Sequence, residues 1–138
     1  MTEYHKDIFE LSYARCTRSP RFIRSFYDKF VTKGPAEVRI KFKGMRFTQQ
    51  RNVIERAVSV AASAVSGNRK ALQLLEERAK LHRKTGELDI RPGLYDLWLR
   101  AIIEAAKEHD PEFNAQVAAA WKSVMTHVIQ RMVRDYET

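Results

Sequence analysis

Apolar residues recur at spacings of three and four along almost the whole chain, and no segment alternates apolar and polar residues as a strand does. One such stripe comprises Phe22, Ile23, Phe26, Tyr27 and Phe30. Side chains at these spacings share one face of an α-helix, which has 3.6 residues per turn. The pattern predicts an all-α fold of about six helices, with a short turn-like piece at residues 35–42.

The chain has 138 residues, a length that suits one domain, so residues 1–138 are interpreted as a single domain. Its longest apolar run, residues 57–65, is too short to cross a bilayer. The first residues carry charges instead of an apolar core, unlike a secretory signal. Cys16 is the only cysteine, which fits a reducing compartment. These features predict a cytoplasmic protein with no membrane partner.

The formal net charge of +8 raises the question of a nucleic-acid partner. However, lysines and arginines are spread through every segment and alternate with acids, as in residues 75–84. This arrangement is typical of solvated helix faces and not of a concentrated basic patch. We therefore do not expect nucleic-acid binding.

The histidines offer the most informative candidate site. His5, His82, His109 and His127 show no spacing suited to a multi-histidine zinc site. His109 lies in a charged string and is predicted to be solvated. His82 shares a helix face with leucines, so it is either a core residue or a ligand; periodicity alone leaves both interpretations open.

A series of motifs occurs around His82 in a characteristic order. They are Phe26-Tyr27-Asp28-Lys29-Phe30, residues 35–42, Gln50-Arg51, His82, Arg91-Pro92-x-x-Tyr95 and Ala120-Trp121. Their order and spacing resemble the globin family, in particular bacterial single-domain globins and the haem domain of flavohaemoglobins. The resemblance covers residues from about Ile8 to Met132.

This resemblance implies a three-on-three helical sandwich around haem b, iron protoporphyrin IX. It implies His82 as the proximal iron ligand, with Phe42, Ile54, Trp98 and Tyr95 as haem contacts. Neutral imidazole is a suitable iron ligand, and a single protein ligand leaves the opposite position open to a gas. Dioxygen, nitric oxide and carbon monoxide are the implied ligands.

Tyr27 and Gln50 are the implied distal pair. Bound dioxygen acquires negative charge, and a tyrosine hydroxyl and a glutamine amide can both donate hydrogen bonds to it. One such bond is worth about 1.5–3 kcal/mol, on the order of ten- to a hundred-fold in dissociation. The alternative is that the Tyr27 hydroxyl bonds to backbone and Gln50 turns to solvent.

Three functions remain open at this stage. The first is a dioxygen-binding haem protein that reacts with nitric oxide when an external reductase supplies electrons. The second is a sensor or store for dioxygen or nitric oxide without turnover. The third is a haem-free interaction module in which His82 is a core residue. Met125 stands where flavohaemoglobins have a proximal tyrosine, four residues after Trp121, which weakens the case for oxygen activation.

Overall fold

The computed structural model describes residues 3–42, 44–65, 67–82 and 92–134, without the side chains of Glu3, Arg78, Leu81 and His82. These residues form seven α-helices and one π-helical segment, and no strand occurs among them. In chain order the elements are α1 Glu3–Thr17, α2 Phe22–Tyr27, the π-helical segment Asp28–Thr32, α3 Ala36–Lys41, α4 Phe47–Val65, α5 Arg69–His82, α6 Gly93–His109 and α7 Ala115–Val133. The all-α prediction is confirmed, and the short piece at residues 35–42 is a helix.

The helices pack as a three-on-three sandwich. Helix α1 crosses α7, α4 packs on α5, and α2 packs on both α6 and α4. Helix α7 also contacts α5 and α6, which closes the arrangement on the remaining side. Trp121 of α7 is fully buried in the core of the sandwich. The ring of Phe9 packs edge-on against it, at 4.8 Å between ring centroids. No helix in the described ranges is both long and apolar enough to span a membrane.

The π-helical segment sets the end of α2, where Tyr27 lies. Its wider turn is closed by the Lys33 amide, which donates to the Asp28 carbonyl at 2.9 Å. The Arg39 guanidinium of α3 then donates to the Gly34 carbonyl at 2.5 Å. An added Cβ at Gly34 would lie 1.9 Å from the Phe30 carbonyl oxygen, so only glycine permits this close turn.

A buried polar network joins α1 to the start of the connection before α7. The fully buried Asp110 carboxylate accepts hydrogen bonds from the Ser12 hydroxyl at 2.6 Å and from Arg15 Nε at 2.6 Å. Ser12 in turn accepts a bond from Trp121 Nε1 at 2.8 Å. We call Ser12, Arg15, Asp110 and Trp121 the Asp110 network. Its contacts are all between residues distant in sequence.

This network corrects one sequence prediction. Asp110 and Pro111 are a good helix cap and first helical residue, and the sequence predicts that the last helix begins there. Instead, α7 begins at Ala115, where the Asn114 side chain accepts a bond from the Val117 amide at 2.9 Å. The carboxylate of Asp110 is engaged by α1, and residues 111–113 form a turn.

Two further polar side chains, those of His109 and Cys16, are buried or nearly buried. The sequence predicts a solvated His109, but its side chain is only 16% exposed and its Nδ1 lies 2.8 Å from the Ser19 hydroxyl. Cys16 is fully buried, and burial raises the pKa of its thiol to about 12. Because thiolate is the reactive form, Cys16 is a packing residue rather than a nucleophile.

Candidate functional site

The central cavity lies between α4 and α6 and is closed by α3, α5, α7 and the π-helical segment. Its volume is about 330 Å³, in the range of small cofactor pockets, roughly 300–1,000 Å³. Its walls are overwhelmingly apolar. The lining residues are Phe30, Val38, Lys41, Phe42, Met45, Val53, Ile54, Ala57, Val60, Ala61, Leu75, Leu94, Tyr95, Trp98, Val128, Ile129 and Met132.

Four of the predicted haem contacts meet in this cavity. Phe42 follows α3, Ile54 lies on α4, and Tyr95 and Trp98 lie one turn apart on α6. Trp98 is held by an edge-to-face contact with Phe26, at 5.6 Å between ring centroids and an interplanar angle of 89°. Residues from α4, from α6 and from the turn after α3 therefore line one apolar chamber.

The α4 wall is shaped for a large apolar group. The sequence predicts Val53 in the buried stripe of this helix, yet its side chain is 40% exposed while lining the cavity. Ala57 and Ala61 follow at spacings of four and line the same wall. Small side chains leave room beside the helix, and uncovered apolar surface favours a ligand that would bury it.

Tyr27 and Gln50 meet at the adjoining ends of α2 and α4. The Tyr27 hydroxyl donates to Gln50 Oε1 at 2.5 Å, and Gln50 Nε2 donates to the Met45 carbonyl at 2.8 Å. Neither side chain is among the residues that line the cavity in the described part of the chain, whereas Met45 and Ile54 are. The tyrosine bonds to the glutamine, so neither half of the alternative interpretation describes this arrangement.

The outer side of Tyr27 is covered by Phe47, the first residue of α4. The two rings are edge to face at 5.0 Å between centroids and an angle of 82°. The Arg24 guanidinium carbon lies 4.5 Å from the Phe47 ring centroid. Arg24 also pairs with Asp28, at 3.1 Å from Nε to Oδ1. The polar pair thus has an aromatic layer and a cation on its outer side.

His82 is the last residue of α5, and its side chain lies outside the described part of the structure. The same helix contributes Leu75 to the cavity wall. Positions seven residues apart share a face in a regular helix, so the helical register relates position 82 to the cavity side of α5. The role of His82 as a ligand stays a prediction.

Sequence reasoning missed several cavity residues. Lys41 and Met45 line the cavity next to Phe42. Lys41 is the one charged side chain on the wall among the described residues. The end of α3 and the turn after it carry no periodic signal, so no sequence pattern pointed to Lys41 or Met45.

An all-α three-on-three sandwich with an apolar chamber beside α5 is the architecture of the globin class of proteins. Comparison with known families agrees. The globin family model matches residues 27–132, which is most of the chain, and the protein belongs to the globin family. A search of curated proteins finds no match.

The structure is similar to the crystal structure of a protein from Pseudomonas aeruginosa PAO1. The two chains share 31% sequence identity at a TM-score of 0.85, over 97% of this chain and 99% of the other. That protein is described as structurally highly homologous to a human hemoglobin. The chain is thus a haem-binding globin similar to a bacterial single-domain globin, and its family binds gaseous ligands such as oxygen.

Proposed function

We propose that this protein binds haem b in the central cavity, with His82 as the proximal iron ligand, and holds dioxygen on the side of Tyr27 and Gln50. The observation that carries the proposal is the Tyr27–Gln50 hydrogen bond beside an apolar cavity in a globin fold. When bound, the haem supplies an iron with one position open to a diatomic gas.

The residues of the cavity suit this cofactor. Phe42 and Trp98 offer aromatic surface, and Ile54 and Leu94 offer aliphatic surface, so the porphyrin faces would be covered without burying unpaired polar groups. The two carboxylates of haem b need a cation or water. Lys41 is the charged wall residue suited to one of them. The cavity therefore suits both the apolar porphyrin ring and one of its carboxylates.

Tyr27 and Gln50 would act as a polar pair that exchanges partners. Without a ligand, the Tyr27 hydroxyl donates its hydrogen bond to Gln50 Oε1. This bond satisfies a hydroxyl that is largely buried. A glutamine amide has two N–H donors, and the Met45 carbonyl accepts one of them. Dioxygen would gain a hydrogen bond only as the existing pair rearranges. The net stabilisation is accordingly nearer the lower end of the range for charged acceptors, about 1.5 kcal/mol.

Replacing Tyr27 with phenylalanine tests this function. The ring and its packing are retained, but the hydroxyl donor is lost, so dioxygen dissociation is expected to be about ten-fold faster. Carbon monoxide stays nearly neutral and gains less from the hydroxyl, and its dissociation should change by less than about two-fold. Stopped-flow ligand replacement on the ferrous protein measures both rates.

The matched control is Tyr13→Phe, which removes a hydroxyl near Phe9 and Trp121, away from the cavity. That variant should leave both dissociation rates unchanged. An unaltered dioxygen rate in Tyr27→Phe, with haem bound as in the wild type, would show that the hydroxyl does not contact the ligand.

Reaction with nitric oxide is a second proposed activity at the same site. A pocket that retains dioxygen favours its combination with nitric oxide to give nitrate. Each cycle consumes one electron, which an external reductase would have to supply. Mixing the oxygenated protein with nitric oxide should convert it to the ferric form within the mixing time of the instrument. A slow conversion would instead leave the sensor or storage role, with dioxygen held and no turnover.

A further inference from the structure

Four side chains, taken alternately from α2 and α4, contact one another in series at the outer edge of the site. Arg24 and Tyr27 belong to α2, whereas Phe47 and Gln50 belong to the first turn of α4. Arg24 lies over Phe47, Phe47 packs edge-on against Tyr27, and Tyr27 donates to Gln50. Within each helix the two residues are three positions apart and share a face.

The exposed fraction falls from Arg24, whose side chain is 56% exposed, through Phe47 to Tyr27. Tyr27 is 8% exposed, and Phe47 is 39% exposed. Phe47 does not line the central cavity in the described structure. Its ring instead lies against Tyr27 on one side and under a guanidinium on another, two contacts that each hold an aromatic ring in a preferred geometry.

We propose that Arg24 and Phe47 are positioning residues that fix the Tyr27 ring, and with it the hydroxyl that determines how long dioxygen stays bound. We call these two residues the outer cover. This inference rests on the proposed function of Tyr27 as a donor to the ligand. The physical reason is geometric, since a phenol can hold a short hydrogen bond only if its ring is kept from tilting toward solvent.

The arrangement also couples the two helices that carry the distal pair. Because Phe47 and Gln50 occupy the same turn of α4, a shift of that turn moves the aromatic cover and the hydrogen-bond acceptor together. Arg24 resists that shift from α2 through its contact with the Phe47 ring. The cover therefore acts on the polar pair without contacting the ligand.

The test compares Phe47→Ala and Arg24→Met with the wild type in the haem-loaded protein. Phe47→Ala removes the ring against Tyr27 and should speed dioxygen dissociation about five-fold. Arg24→Met keeps an aliphatic side chain of similar length but removes the cation, and should speed it about two- to three-fold. Carbon monoxide dissociation should change by less than about two-fold in both variants, because it depends less on a donor.

Two control variants distinguish the effect of the outer cover from that of other charged residues nearby. Asp28→Asn removes the ion-pair partner of Arg24, and both side chains of that pair are substantially exposed, so little change is expected. Arg21→Met removes an exposed arginine one turn earlier and should behave as the wild type. An effect of Asp28→Asn as large as that of Arg24→Met would overturn the role of the cation–ring contact.

The Tyr27→Phe background distinguishes the two proposals. There, Phe47→Ala and Arg24→Met should no longer alter dioxygen dissociation, because the hydroxyl they position is gone. If Tyr27→Phe has its expected effect but the cover variants have none, the cover is disproved and the distal role stands. If Tyr27→Phe itself has no effect, the proposed function fails. Equal acceleration of dioxygen and carbon monoxide would show that the cover is only a steric barrier. Arg24→Met, which leaves the core intact, keeps the test decisive should Phe47→Ala fail to fold.

Discussion

Replacing His82 with glycine is expected to give a folded protein that no longer shows the Soret band of a histidine-ligated haem. In the proposed function the iron–imidazole coordinate bond joins His82 to the cofactor, and packing against the apolar side chains of the cavity cannot replace that bond. Hemin at 100 times its dissociation constant would stabilise the wild type by about 2.7 kcal/mol, and most of this stabilisation should vanish in the variant. Absorption spectra and thermal unfolding with added hemin measure both effects.

Added imidazole should restore the Soret band of His82→Gly, because it supplies the missing ring without the backbone. His127→Gln is the matched control; its side chain lies on the α7 surface away from the central cavity, so the spectrum should be unchanged. Far-UV circular dichroism establishes that the helices persist. A wild-type spectrum in His82→Gly would assign the iron to another ligand, and a colourless wild type would support the haem-free alternative.

Replacing Asp110 with alanine is expected to cost about 3–5 kcal/mol of unfolding free energy, since it leaves the buried side of Arg15 without its anion. The carboxylate receives Arg15 Nε at 2.6 Å, Arg15 Nη2 at 3.0 Å and the Glu112 amide at 2.9 Å in addition to the Ser12 hydroxyl. Loss of these bonds would also release the start of the α6–α7 connection from α1. Urea denaturation at pH 7 measures the change.

Glu112→Gln provides the matched control for Asp110. Glu112 also lies near Arg15, at 3.6 Å from its Nε, but its side chain is 72% exposed. Water screens such a pair, so its removal should change the unfolding free energy by less than about 1 kcal/mol. Similar losses for Asp110→Ala and Glu112→Gln would contradict the assignment of this stability to the buried network.

The Asp110 network is expected to make the free energy of unfolding fall at acidic pH. Burial alone would raise the pKa of Asp110, but the hydrogen bonds from Arg15, Ser12 and the Glu112 amide outweigh it and hold the pKa below its usual value of 3.8. A depressed carboxyl pKa contributes stability that is fully present above the unfolded-state pKa and is lost as pH falls through the folded-state pKa. This contribution should therefore decline below about pH 4 in the wild type and be absent from Asp110→Asn.

The amino-acid sequence determined the fold class and the types of residue at the site. Helical periodicity is local, so the stripes on α4, α6 and α7 could be read directly from spacings of three and four. The resemblance to globin motifs also singled out Tyr27, Phe42, Gln50 and Trp98 as candidate site residues. The family resemblance predicted Phe42, Ile54, Tyr95 and Trp98 as haem contacts, and these four residues line one cavity.

The tertiary structure alone decided how those residues are connected. The Tyr27–Gln50 bond, the position of Phe47 between Arg24 and Tyr27, and the placement of Lys41 on the wall all depend on contacts between helices. Asp110 is the clearest case. Its local sequence favours a helix cap, but a carboxylate that can be ionised, buried and bonded by Arg15 and Ser12 gains more from α1 than from one backbone amide. Local preferences predict helices because their hydrogen bonds are local, whereas partners distant in sequence are chosen only when the helices pack.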